Sequence, residues 1–193
     1  MRLAGYVVHG AEPGAGTGYS YVLAGNGLFL ESQNPLLAAR IALSPAPVRG
    51  LPALDPLLEL KHGPVPGHLL ALATDVMAVE ENLEVYLAIV WDGTAYALEI
   101  PTQEADAGHV SYQVVRDTVA GIHSHSRMPA CFSSQDDRDD QGLMVSVVLG
   151  HMDRLLHSAV ARLCVYGYFA PLELRQVFDT VPPNLVEVRC DGV

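Results

Sequence analysis

Two histidines one residue apart, His123 and His125, end the apolar run TVAGIHSH; after seven further residues comes Ser133, and three positions on, Asp136. In a strand, alternate residues share a face, so the two imidazoles would stand side by side. Two ligands of one Zn2+ need that arrangement, each at about 2.0–2.1 Å from the ion. A helix starting near Ser133 puts Ser133 and Asp136 one turn apart on the same face. The loop between His125 and Ser133 is long enough to bring that face back over the strand end. Two histidines and a carboxylate make three protein ligands. Structural zinc sites are closed by four, whereas catalytic sites keep the fourth tetrahedral position for water. The count points to one catalytic Zn2+ per chain, bound by His123, His125 and Asp136.

A plainer reading competes for the same residues. Ser-x-x-Asp resembles a helix capping box, and Asp136, Asp137, Asp139 and Asp140 suit the positive end of a helix. Capping and ligation are compatible, because a helix start can itself orient the aspartate. Other chemistries fit less well. A zinc deaminase needs H-x-E with P-C-x-x-C, and neither is present. Cys131 as a thiol nucleophile is disfavoured by Ala130 and Phe132, apolar neighbours that raise a thiol pKa. His151 and His157, six apart, suit neither one strand face nor one helix face and read as surface residues.

The elements that must position these groups are legible in outline. YSYVLAGNGLFLES is two apolar runs around Asn26-Gly27, a hairpin signal. LLAARIALSP fits a short helix or a strand equally. Six prolines between 45 and 66 mark a linker, with a soft boundary there. GHLLALATDVMAVEENL has helical periodicity, and EVYLAIVWDGTAYALEIP is strand, Asp92-Gly93 turn, strand. VSYQVV and TVAGIHSH follow as strands, SSQDDRDDQG as a helix start, LMVSVVLG and VARLCVYGYF as buried strands, and LELRQVF as a last helical turn. This order suggests an α+β or α/β sandwich around one sheet.

The chain has 193 residues, enough for one domain or a small domain with an extension. Its net charge of −11, with no basic stripe, argues against nucleic-acid binding. No apolar run approaches the length of a membrane span, and the N-terminus is a poor signal peptide. Three scattered cysteines, Cys131, Cys164 and Cys190, argue against a disulfide framework and a cysteine-based zinc site. A soluble cytoplasmic protein is expected.

His123-Ser124-His125, seven residues, Ser133, two residues, Asp136 resembles the signature of the JAMM (JAB/MPN) zinc metalloproteases, which remove ubiquitin-like modifiers or cut related C-terminal tails. The family also needs an upstream glutamate opening a strand after a helix. Glu84, in LEVYLAIVWDG, stands in that place; Glu80 and Glu81 are the alternatives on the helix end. The resemblance spans residues from about 67 to 180. It implies a JAB/MPN-like mixed β-sheet flanked by helices, a cytidine-deaminase-like sandwich, over residues 67–193. A β-rich extension and Pro-rich linker would occupy 1–66. It departs in one position: the proline that usually follows the second histidine is Ser126. The length and variant motif are most similar to the group of this family found in bacterial PRTRC gene cassettes, beside ThiF-related and ParB-related proteins.

The resemblance implies that Glu84 is the general base and then acid for a metal-activated water, and that Ser133 donates to the developing oxyanion. The implied substrate is a ubiquitin-like or sulfur-carrier-like protein, with a ThiF/E1-like protein as a further partner. Ser124, on the strand face opposite the histidines, reads as structural. A non-catalytic scaffold that docks a partner is the alternative expectation.

Overall fold

The computed structural model describes residues 4–8, 18–105, 110–112 and 115–189; Cys190 and, within the VSYQVV run, Gln113 and Val114 lie outside them. Five strands form the first sheet in chain order: β1 (Ala4–Val8), β2 (Tyr19–Ala24), β3 (Gly27–Gln33), β4 (Leu37–Pro45) and β5 (Leu57–Leu60). The ambiguous LLAARIALSP run is thus a strand, and the proline-punctuated stretch contains β5. The β2–β3 turn is Gly25-Asn26, one residue earlier than expected. A Cβ on Gly25 would overlap the Leu51 carbonyl, and the Asn26 side chain bonds both the N–H and the C=O of Leu54. Tertiary contacts therefore choose the turn.

Helix α1 (Gly67–Val79) follows, then β6 (Tyr86–Trp91), β7 (Tyr96–Glu99), the small pair β8 (Gln103–Ala105) and β9 (Val110–Tyr112), and β10 (Thr118–Ser124). After the short α2 (Ser134–Asp139) come β11 (Leu143–Gly150), β12 (His157–Val165), β13 (Tyr168–Leu172), a 3-10 turn at Leu174–Gln176 and β14 (Leu185–Glu187). The second sheet runs β13-β12-β11-β10-β6-β7, with β14 paired to β12. VARLCVYGYF is therefore not one strand but two, hinged at Tyr166-Gly167.

The expectation of a helix-flanked JAB/MPN-like sandwich is not met. Among the described residues there are two α-helices, of 13 and six residues, and the architecture is mostly β in two main sheets. The reason lies in what covers the large sheet. On one face, α1 packs Leu70, Ala73 and Met77 against Leu87, Ile89, Ile122 and Val147. Further along that face the place of a second helix is taken by the first sheet, whose Leu30, Leu37, Ala39 and Ile41 share a core with Leu143, Leu163 and Val165. Alternation puts His123 on the opposite face, under loops and α2. Among the described residues no helix is long and apolar enough to cross a membrane.

This shared core gives a first prediction. A chain trimmed to residues 67–193 would expose Leu143, Leu163 and Val165, each worth about 1.5–3 kcal/mol when buried. The total, roughly 5–9 kcal/mol, is comparable to a whole domain's stability of about 5–15 kcal/mol. The trimmed chain is expected to be insoluble or molten. A sharp cooperative melt close to that of the full chain would refute the shared core.

Candidate metal centre

β10 is a central strand, parallel to β11 and antiparallel to β6, with His123 opposite both Val148 and Tyr86. Its ladder to β11 runs one residue further, through a 2.7 Å bond from the His125 N–H to the Leu149 carbonyl. The two histidines are therefore held by backbone on a rigid element, and both are nearly buried, at 8% and 9% exposure. Gly121, one step back on the same face, has no side chain because the Tyr86 ring and the Met144 methyl occupy that space, 2.8 Å from where a Cβ would stand.

The chain then doubles back. Ser126 adopts φ 47°, which a proline ring cannot reach, so the backbone here excludes proline. The returning segment is stitched to the start of the β11–β12 connection by bonds from the His151 N–H to the Met128 carbonyl and from the Met152 N–H to the Ser126 carbonyl. The Ser158 hydroxyl accepts the Ala130 N–H and meets His151 Nδ1. His157, expected at the surface, is buried at 6% with its Nδ1 against the His151 carbonyl. Both histidines help seat this loop.

Gly150 lets the loop lie so close: a Cβ there would overlap the backbone of Met128, Pro129 and Ala130. Gly150→Ala is therefore expected to push the loop outward, at a cost of about 1–3 kcal/mol, and to weaken metal binding by roughly tenfold or more. Zinc titration beside a thermal melt checks this; an unchanged affinity would show that the loop does not set the site.

At the end of the loop, Ser133 caps α2. Its hydroxyl accepts the N–H groups of Gln135 and Asp136, and its own N–H donates to Asp136 Oδ2 at 2.5 Å. The capping box and the candidate metal triad share one residue, Asp136. While one edge of the Asp136 carboxylate closes the cap, Oδ1 stands 3.1 Å from His123 Nε2 and Oδ2 stands 3.7 Å from His125 Nε2. The two Nε2 atoms are 3.2 Å apart. Atoms bound at about 2.0–2.1 Å to one tetrahedral centre lie about 3.3–3.4 Å from each other, close to the 3.2 Å between the two Nε2 atoms and the 3.1 Å from His123 Nε2 to Oδ1. His123, His125 and Asp136 form a group that could hold a metal ion, with ligand atoms all within 4.8 Å.

Two of these groups are biased toward the forms ligation needs, neutral imidazole at His125 and ionised carboxylate at Asp136. Burial pushes His125 down to about 4; the nearby His123 adds to the shift and Asp136 opposes it. Burial alone would raise the Asp136 carboxyl, but the His123 hydrogen bond and charge, with the Ser133 N–H and hydroxyl, hold it well below the usual carboxylate range. Ser133 itself is exposed. Its oxygen accepts the two cap N–H groups, and its O–H also acts on the Asp136 carboxylate.

Glu84 precedes β6 and is buried at 7%. Continuing the β6–β10 register two steps beyond its paired residues sets it across from His125. The segment is fastened by Ser124. Its hydroxyl accepts the Val85 N–H at 3.0 Å and donates to the Leu83 carbonyl at 3.3 Å, and its N–H donates to the Val85 carbonyl. The expected structural residue thus grips both neighbours of Glu84. Of the alternatives, Glu80 is exposed at the end of α1 and Glu81 pairs with Arg127 at the surface, 2.7 Å away. Cys131 is disulfide-bonded, contrary to the expectation from three scattered cysteines, and so is no free thiol.

Arg162 was not singled out from the sequence. On the histidine face of β12, it bonds Asp137 within α2 and Asp140 at the helix's C-terminal cap. The signal was present: it is the one charged residue in the apolar run VARLCV. Cavities lie on either side of α2, one of about 440 Å3 bordered by Tyr86, Met144 and Asp139, the other of about 730 Å3 bordered by Phe132, Arg162 and Phe169.

No family model matches the chain, and no curated protein matches it in sequence.

Proposed function

We propose that this protein is a zinc-dependent peptidase or isopeptidase, using a JAMM-type residue set, that hydrolyses the C-terminal tail of a ubiquitin-like or sulfur-carrier-like protein. The reading is carried by the convergence of His123 Nε2, His125 Nε2 and the Asp136 carboxylate, with Ser133 capping the helix that carries that carboxylate. A zinc ion held there would polarise a carbonyl and lower the pKa of water from 15.7 to about 7.

The remaining work falls to the chain's own residues. Glu84 takes the proton of the attacking water and passes it to the departing amine, general base and then acid. Its burial and the grip of Ser124 on Leu83 and Val85 limit the positions its carboxylate can take. Ser133 donates its O–H to the scissile carbonyl oxygen as negative charge develops there, a role worth about 3–4 kcal/mol. The motif's resemblance supports a ThiF/E1-like protein, which would activate the same carrier, as a functional neighbour. A pure scaffold needs none of the five positions; their presence, three of them within 4.8 Å, favours hydrolysis.

The reading is tested with a ubiquitin-like domain fused through its C-terminal tail to a fluorescent amine. Zinc-loaded protein is expected to release the amine, a chelator to stop release, and added zinc to restore it. Metal-loaded protein that leaves such tails intact would overturn the peptidase reading in favour of the scaffold.

A further inference from the structure

We propose that Arg162 is the positioning residue of the metal centre: one buried guanidinium grips the chain on both sides of the Ser133–Asp136 segment and so fixes where Asp136 stands. The proposal rests on the metal-site reading of His123, His125 and Asp136.

Helix α2 has little else to hold it. It is six residues long with no buried residue, so neither its own hydrogen bonds nor apolar packing secure it; isolated helices this short are unstable in water. Arg162 supplies the missing attachment. It stands on β12, two strands from β10, and is 6% exposed. Its guanidinium carbon lies 3.8 Å from the ring centre of Phe132, the residue immediately before Ser133. Nη1 donates to Asp137 Oδ1 at 2.6 Å, the residue immediately after Asp136. Nη2 and Nε donate to Asp140 Oδ2 at 2.8 and 3.2 Å, at the helix's far end. The ring of Phe169, on the neighbouring strand β13, also lies 3.8 Å from the guanidinium carbon, and the Cys164 thiol donates to the same Asp140 oxygen.

The chemistry needs arginine in particular. A planar fork can stack on a ring while bonding two carboxylates in fixed directions, whereas a lysine ammonium is a point charge on a flexible stem. Burying a cation with its counter-charges contributes little to stability compared with apolar packing. What it adds is direction, and direction is what a ligand aspartate on a short helix lacks.

The test measures zinc affinity of the full-length protein by competition with a chromophoric chelator. Arg162→Lys keeps the charge, so Asp140 is not left unpaired, but loses the fork. It is expected to fold and to bind zinc about tenfold more weakly or worse. Asp137→Asn changes an exposed residue, so folding is not at risk, and should cost roughly threefold. In an Asp136→Ala background neither change should weaken binding further, because the residue being positioned is gone. A merely structural role would lower the melting temperature and leave affinity per folded molecule unchanged. Wild-type affinity in both folded variants, or equal losses in the Asp136→Ala background, would overturn the proposal. Wild-type protein that takes up no zinc would overturn the metal site itself, and the proposal with it.

Discussion

His123→Ala is expected to abolish stoichiometric zinc binding while leaving the fold intact. The side chain contributes one of three ligand atoms, 3.2 Å from His125 Nε2 and 3.1 Å from Asp136 Oδ1. If the ~10–16 kcal/mol of a zinc site is shared among about four ligands, one ligand carries roughly 3–4 kcal/mol, or about 10²–10³-fold in Kd. The backbone at 123 is held between β11 and β6 and does not depend on the imidazole, so the strand should persist. His68→Ala, on the exposed side of α1, serves as the control and should bind zinc normally. Equal zinc content in the two variants, measured on gel-filtered protein, would remove His123 from the site.

Glu84→Gln separates metal binding from proton transfer. Glutamine has nearly the same shape, so the buried segment gripped by Ser124 should keep its path, and the three ligands are untouched. A glutamine cannot accept and return a proton. Hydrolysis of the fused tail is expected to fall by about 10²–10⁴-fold with zinc content unchanged. Glu81→Gln should stay active, because Glu81 is engaged with Arg127 at the surface. The reverse pattern, an inactive Glu81→Gln beside an active Glu84→Gln, would move the base one helical turn upstream.

The triad could be read from the sequence because its geometry follows from period and spacing. Residues 123 and 125 had to share a strand face, and a capped helix start had to put Ser133 beside Asp136. That the cap and the ligand are one residue was compatible with the spacing but needed the structure, since it depends on which carboxylate oxygen faces which partner. The elements around the site were legible where the apolar periodicity was local, as in α1, β6 and β11. They were misread where long-range contacts decided. Gly25 and Asn26 form the β2–β3 turn because Leu51 and Leu54 lie against them. The first sheet takes a helix's place over the large one because Leu30 and Ile41 meet Leu143 and Leu163, pairs more than a hundred residues apart. Arg162 was overlooked because its meaning lies in Phe132, Asp137 and Asp140, which only the fold gathers around it.

The central claim is that His123, His125 and Asp136 bind one zinc ion per chain, and elemental analysis tests it most directly. Purified full-length protein is stripped with a chelator, reloaded with zinc, and freed of excess by gel filtration. The account predicts about one zinc per chain in the wild type and none retained through gel filtration in Asp136→Ala, whose weaker binding only titration would read. Stripped wild-type protein that stays folded and takes up no zinc on titration would contradict it.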